Sequence, residues 1–112
     1  MNWNQLQTTE QLDEIVSTSK DQAVIIFKHS TTCPISTTAL SRFERAWQDE
    51  VGAKPFLLDL KRYREVSNNV AEKFNVEHES PQLLLIKDGK TVYHESHFGI
   101  NFGELSEYLK QQ

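Results

Sequence analysis

Apolar residues recur along the chain in two patterns, which predict helices and strands in turn. The first element opens with Thr8 three residues before Gln11, the spacing of a capping box. The apolar residues that follow at helical spacing are Leu12, Ile15 and Val16. The run Ala23–Phe27 is apolar without alternation, as expected of a central strand covered on both faces. These patterns predict a first helix and then a buried strand, with a short strand near residues 3 to 6 ahead of them.

The middle of the chain repeats this order. From Pro34 onward one stripe of apolar residues has 3.6-residue spacing, formed by Ile35, Ala39, Leu40, Phe43, Ala46 and Trp47. The segment Phe56–Leu60 reads as a second buried strand. A further helical stripe follows it, formed by Val66, Val70 and Phe74. The sequence therefore predicts two successive strand-helix units.

The last third of the chain has the pattern of a hairpin and a closing helix. Two apolar runs, Leu83–Ile86 and Thr91–Tyr93, flank Asp88 and Gly89, a strong signal for a two-residue hairpin turn. A cap-like Asn101 then precedes the helical stripe Phe102, Leu105, Tyr108 and Leu109. We therefore expect an α/β fold with a central mixed sheet of four to five strands and helices on both faces.

Length and charge limit the kinds of partner. With 112 residues the chain fits one domain, residues 1 to 112. Its formal charge is −4 and no basic block interrupts the mixed distribution, so we expect no nucleic-acid partner. The apolar runs are far shorter than the ~20 residues of a membrane helix, so no membrane association is expected. The first residues do not resemble a secretory signal, and we expect a cytoplasmic protein.

The chain contains one cysteine, Cys33, at the predicted junction of a strand and a helix. No disulfide can form within one chain, so any redox chemistry must use the sulfur of another molecule. Pro34 suits the first position of a helix, where free backbone N–H groups and the helix dipole favour a thiolate. The alternative is that Cys33 is a small buried hydrophobe.

Other residues near this junction are candidates for a supporting role. Pro81 directly precedes a strand, and a cis Ser80–Pro81 bond would hold the backbone of Ser80 beside the Cys33 loop; the alternative is an ordinary trans proline at a strand edge. His29 and Lys28 end the strand before the loop, and a cation there would favour the thiolate. Because side chains alternate along a strand, only one of the two faces the loop, and the sequence leaves open which one.

Three segments together resemble the thioredoxin superfamily in order and spacing over nearly the whole chain. They are Cys33–Ser36 after a buried strand, Asn69–Val76, and Ser80–Lys90. Within that superfamily the segment TCPIS, residues 32 to 36, is similar to the monothiol bacilliredoxins of bacteria that use bacillithiol. The resemblance implies a thioredoxin-like fold, Cys33 as nucleophile, Ser36 at the position where dithiol members carry a resolving cysteine, and Pro81 as the cis-proline.

The chain also departs from related patterns. Phe27 stands where thioredoxins usually carry a buried acid, and Thr32 where they carry a tryptophan. Glutaredoxins that use glutathione place a glycine pair before the last helix, whereas this chain has Gly99, Ile100 and Asn101 there. This difference argues against glutathione as the natural thiol. The helix end at Asn101 would be able to receive an anionic group such as the malate of bacillithiol, with a plain helix cap as the alternative.

The resemblance implies a thiol-disulfide exchange protein that removes bacillithiol from S-bacillithiolated client proteins through a Cys33 mixed disulfide. Bacillithiol would be the co-substrate, and bacillithiol or another redoxin the reductant. The residues expected to contact substrate are Thr32, Pro34, Ser36, Ser80, Pro81 and Asn101. No metal is expected, since His94 and His97 lie near a strand and point apart. The alternatives are an iron-sulfur cluster carrier and a non-catalytic thioredoxin-like binding module.

Overall fold

The structure is a computed structural model that describes residues 1 to 110. Its strands are β1 (Asn4–Gln5), β2 (Val24–His29), β3 (Lys54–Asp59), β4 (Gln82–Lys87) and β5 (Lys90–Ser96). Its helices are α1 (Glu10–Thr18), α2 (Pro34–Ala46), α3 (Arg64–Lys73) and α4 (Phe102–Lys110). The single-turn 3-10 helices Asp49–Val51 and His97–Gly99 were not predicted from the sequence. The predicted domain also includes Gln111 and Gln112, which lie outside the described residues.

The strands form one mixed sheet of five, in the order β1-β3-β2-β4-β5. β1, β3 and β2 are mutually parallel, whereas β4 runs antiparallel to β2 and pairs with β5 in a hairpin. Asp88 and Gly89 form the hairpin turn with φ of 53° and 73°, the left-handed pair that a type I′ turn requires. The predicted mixed α/β sheet is thus confirmed, and β2 lies at its centre.

Alternation along the buried strands divides the core into two layers. In β2, Val24 and Ile26 face α1 and α3, whereas Ile25 and Phe27 face α2 and α4. Helices therefore cover both faces of the sheet, as predicted. Each side chain at the carboxyl end of β2 points toward one layer or the other. This determines which of them face the candidate site.

Two predicted caps fix the starts of helices on opposite faces. The Gln11 N–H donates to Thr8 Oγ1 (3.3 Å), and the Thr8 N–H donates to Gln11 Oε1 (3.0 Å), which is a reciprocal capping box at α1. At α4 the Glu104 N–H donates to Asn101 Oδ1 (2.9 Å). Within residues 1 to 110, no helix combines the length and apolar character needed to cross a bilayer.

Candidate active site around Cys33

Cys33 is the N-cap residue of α2 and is half-buried. Its N–H donates to the Ser30 carbonyl (3.2 Å), and its own carbonyl accepts the first helical bond from the Thr37 N–H (3.1 Å). Pro34, which is exposed, occupies the first helical position as predicted. The sulfur therefore lies at the end of α2 where unpaired N–H groups and the helix dipole favour negative charge.

Ser36 is fully buried under this turn, although it is polar. Its hydroxyl accepts a hydrogen bond from the Ser30 N–H (3.0 Å) and lies 2.7 Å from His29 Nδ1. The loop between β2 and α2 is thus wrapped around one hydroxyl group. The sequence places Ser36 in the active-site turn, but its contact with His29 is long-range side-chain geometry that no spacing rule supplies.

The structure decides which basic residue faces Cys33. His29 points toward α2 and Ser36, whereas Lys28 points to the opposite face, where Nζ contacts the Ser67 carbonyl and His78 Nδ1, both at 3.3 Å. Burial lowers the pKa of His29, and the carboxylates of Asp59 and Glu44 partly oppose this effect. We therefore assign a neutral imidazole to His29 near pH 7.

Lys61 is a residue of the candidate site that the sequence analysis missed. Its Nζ donates to Thr32 Oγ1 (2.9 Å), and both side chains are exposed. A cation therefore lies one residue from the nucleophile, contributed by the turn after β3. The only sequence signal is that parallel strands β2 and β3 end at the same edge, so their following loops meet there.

Pro81 is buried and the Ser80–Pro81 bond is cis, as the resemblance implied. β4 begins at Gln82, which pairs with Lys28 of β2, so Pro81 lies at the edge of the sheet where the Cys33 loop begins. The Pro81 carbonyl accepts from the His97 N–H (3.0 Å). Within the described residues, Ser80 makes no backbone hydrogen bond, and its N–H and C=O remain free to pair with an extended peptide.

Asn101 is exposed and directly precedes α4. The preceding carbonyl, that of Ile100, accepts from Arg42 Nη2 (3.2 Å), in the third turn of α2. Arg42 is nine residues beyond Cys33, about 13 Å along the helix axis. Asn101 Oδ1 is engaged in capping α4. Its proposed contact with an anionic ligand stays a prediction.

Phe27 occupies the position at which thioredoxins usually carry a buried acid. It is fully buried and its ring packs edge-on to Trp3 (6.0 Å) and against Phe43 (5.8 Å). Trp3 and Trp47 are both half-buried packing residues of the α2 face. Among residues 1 to 110, no three His, Cys, Asp or Glu side chains are grouped as metal ligands.

Comparison with known proteins agrees with this geometry. The family model described as monothiol bacilliredoxin BrxC matches residues 4–105. The chain belongs to the monothiol bacilliredoxin family. The match includes the Cys33 turn, the Ser80–Pro81 bond and Asn101, and it confirms the resemblance found in the sequence.

Solved structures confirm the thioredoxin-like fold. One, provisionally described as an oxidoreductase with a thioredoxin fold, is 31% identical with a TM-score of 0.80, over 92% of this chain and 89% of that one. Thioredoxin from Fasciola hepatica is 21% identical with a TM-score of 0.72, over 96% and 97% of the two chains. Thioredoxin from Trypanosoma brucei brucei is 18% identical with a TM-score of 0.75, over 98% and 89%. The two thioredoxins show the fold alone, whereas the family match assigns thiol oxidoreductase chemistry to this bacilliredoxin.

Proposed function

We propose that this bacilliredoxin removes bacillithiol from S-bacillithiolated client proteins through a mixed disulfide on Cys33. The observation that carries the proposal is the placement of the sole cysteine. Cys33 is half-exposed at the N-terminal end of α2, the end of the helix dipole that attracts negative charge, and no second cysteine is present to close an internal disulfide. A nucleophile of this kind suits exchange with a small thiol.

The surroundings of Cys33 suit a client segment in extended conformation. The free N–H and C=O groups of Ser80 offer a short strand-like pairing beside the sulfur. Ile35 and Phe98 are exposed, the latter with 68% of its surface accessible, and the Phe98 carbonyl is tied to α2 by Arg42 Nη2 (3.3 Å). These two apolar side chains would contact the client on either side of the disulfide.

The proposed exchange balances with one incoming thiol at each stage. The Cys33 thiolate attacks the bacillithiol sulfur of the client disulfide, the Cys33–bacillithiol bond forms, and the client leaves as a thiolate that takes a proton. A second thiol, bacillithiol or that of a partner redoxin, then attacks the adduct and restores Cys33. When the attacking thiol is bacillithiol, bacillithiol disulfide is released. Ser36 contributes no sulfur, so regeneration always needs that second molecule.

Intact mass spectrometry tests the proposal directly. We expect wild-type protein exposed to bacillithiol disulfide to gain the mass of one bacillithiol, and Cys33→Ala to gain none. The adduct should be removed by added bacillithiol, and wild-type protein should release bacillithiol from a modified client. His94→Asn is the matched control, because His94 is exposed on β5 and takes no part in the site.

Three results would go against the proposal. Failure of Cys33 to take up bacillithiol would exclude the exchange step. Slow alkylation of Cys33 at neutral pH would favour a non-catalytic binding module. Visible absorption bands after reconstitution with iron and sulfide in the absence of air, without transfer of bacillithiol, would favour a cluster carrier.

A further inference from the structure

Residues 77 to 81, which we call the Ser80 segment, are tied to the fold at both ends through backbone carbonyls. Gln82 Nε2 donates to the first carbonyl of the segment, that of residue 77 (2.9 Å). The His97 N–H donates to the last one, that of Pro81 (3.0 Å). Between these two ties the backbone of Ser80 is free, so its position depends on the side chains that hold the middle of the segment.

Two side-chain contacts hold the middle of the Ser80 segment. The Ser96 hydroxyl donates to the carboxylate of Glu79, and Lys28 Nζ lies 3.3 Å from His78 Nδ1. An ammonium group has donors only, so His78 Nδ1 is the acceptor of this hydrogen bond. His78 is therefore a neutral imidazole that carries its proton on Nε2.

The charges that face His78 agree with this neutral tautomer. Burial lowers the pKa of His78, and the cations Lys28 on β2 and Arg64 on α3 lower it further. Glu79, within the Ser80 segment, opposes them. The imidazole is thus kept in the form that is able to accept from Lys28 near pH 7.

Lys28 is a costly residue for the apolar layer in which it lies. Its side chain is fully buried, and within residues 1 to 110 it forms no ion pair with a carboxylate. A buried cation without an anionic partner destabilises the fold, and such departures from a good core are expected at functional sites. The two groups that Nζ contacts are the Ser67 carbonyl of α3 and His78. Lys28 therefore connects a helix of the core to the Ser80 segment.

We propose that Lys28 and His78 are positioning residues that hold the Ser80 backbone in place for pairing with the backbone of the substrate. His78 lies two residues before Ser80 and receives the hydrogen bond that ties the segment to α3. Because Lys28 points to the face of the sheet opposite to Ser36, the contact acts on the position of the substrate and leaves the sulfur of Cys33 unchanged. This role rests on the proposed function in taking Ser80 as the group that pairs with the client.

The test compares two uncharged disulfides in their reaction with Cys33. The disulfide of N-acetylcysteine amide carries a backbone N–H and C=O on either side of its sulfur, whereas 2-hydroxyethyl disulfide carries neither group. His78→Leu removes the acceptor and Lys28→Met removes the donor. Each should lower the ratio of the first rate constant to the second about fivefold, the effect expected from the loss of one backbone hydrogen bond. Mass spectrometry of the Cys33 adducts measures both rates.

Two further variants serve as controls. His78→Asn keeps an amide acceptor near the position of Nδ1, so it should restore most of the wild-type ratio. His94→Asn should match wild type, because His94 is exposed on β5. Failure of His78→Asn to restore the ratio would show that the imidazole acts by its bulk, and would overturn the inference.

The same rates separate this inference from the proposed function, because neither disulfide contains bacillithiol. Equal slowing with both disulfides in His78→Leu would show that the contact acts on the sulfur or on the whole fold, and would overturn the inference. An unchanged ratio would do so as well. A lowered ratio without bacillithiol transfer by the wild type would refute the proposed function alone. Transfer of bacillithiol with an unchanged ratio would refute this inference alone.

A second measurement requires no disulfide. Nitrogen NMR of the wild type at pH 7 should show Nδ1 of His78 as the nitrogen without a proton. In Lys28→Met the pKa of His78 should rise, since Lys28 lowers it, and that of His94 should not move. The backbone order parameter of Ser80 should fall in the same variant, because the tie to α3 is lost. A protonated Nδ1 in the wild type, or an equal order parameter of Ser80 in both proteins, would contradict the inference.

Discussion

Two buried polar clusters lie at the same end of the sheet, on its opposite faces. Two neighbouring residues at the end of β2 each belong to one of them. On the α2 face, His29 contacts the Ser36 hydroxyl beneath Cys33. On the α3 face, the fully buried Lys28 reaches the Ser67 carbonyl and His78. The first cluster adjoins the sulfur, and the second is separated from it by the sheet.

The difference shows how the alternation of side chains along a strand separates two adjacent basic residues. A shift of one residue would exchange the two faces and place an ammonium group beside Ser36. The neutral imidazole of His29 contacts the hydroxyl of the Cys33 turn, whereas the imidazole of His78 contacts Lys28 on the face away from the sulfur. We infer that the α2 cluster serves the chemistry of Cys33 and that the α3 cluster bears on stability.

The largest expected effect changes the α2 cluster from a monothiol to a dithiol site. With Ser36→Cys, the introduced thiol lies one turn from Cys33, within the reach of a disulfide. After exposure to bacillithiol disulfide, the variant should lose its bacillithiol adduct and end two hydrogens lighter than its reduced form. Wild-type protein should keep the adduct until a second thiol is added. Mass spectrometry distinguishes the two results.

Ser67→Cys is the matched control for this prediction, because Ser67 is a buried serine of the α3 cluster. It should keep the adduct on Cys33 as wild type does. If Ser36→Cys also keeps its adduct and forms no internal disulfide, Cys33 and Ser36 do not share one reactive turn.

The next largest effect is expected on the free energy of unfolding when Lys28 is replaced. Burial lowers the pKa of Lys28 from 10.5 to about 8, so the folded protein holds this proton less tightly than the unfolded chain does. Between pH 8 and 10.5 the unfolded chain binds more protons than the folded protein does. The contribution of this group to the free energy of unfolding of the wild type therefore rises with pH. Lys28→Met should therefore raise the free energy of unfolding at pH 7 by about 2 kcal/mol, and the gain should shrink toward pH 10.5.

Urea unfolding of both proteins at pH 7 and pH 10 measures this difference. Lys90→Met is the control, because Lys90 is exposed on β5 and its replacement should change little at either pH. Alkylation of Cys33 at pH 7 should be unaffected by Lys28→Met. A slower reaction would mean that the two clusters communicate through the sheet, contrary to the comparison.

The sequence predicted the layers well and the site only in part. Buried runs such as Ala23–Phe27 and the Asp88–Gly89 turn act locally, so the sheet and hairpin follow from short segments. Cys33 and Pro81 were found because the motif fixes their places. The contacts of His29 with Ser36 and of Lys61 with Thr32 depend on how strand ends and loops meet in three dimensions, and no local pattern encodes them.

A smaller effect is expected from removing the helix caps on the two faces of the sheet. Asn101→Ala removes the cap of α4, and Thr8→Ala removes that of α1; each should lower the free energy of unfolding by about 1 kcal/mol. If Asn101 serves as a cap alone, both variants should take up bacillithiol at the wild-type rate. A selective loss of uptake in Asn101→Ala would instead support its contact with the malate group. Denaturation curves and adduct formation by mass measure the two properties.

The smallest effect concerns Lys61, whose ammonium group donates a hydrogen bond to Thr32 in the Cys33 loop. Bacillithiol carries carboxylates, so Lys61→Gln should slow its uptake about threefold, as expected of one exposed charge. The same variant should react normally with an uncharged disulfide, because the thiolate itself is unchanged. Raising the salt concentration should reduce the difference between wild type and variant for bacillithiol disulfide alone. Equal slowing with both disulfides would show that Lys61 acts on the sulfur rather than on the substrate.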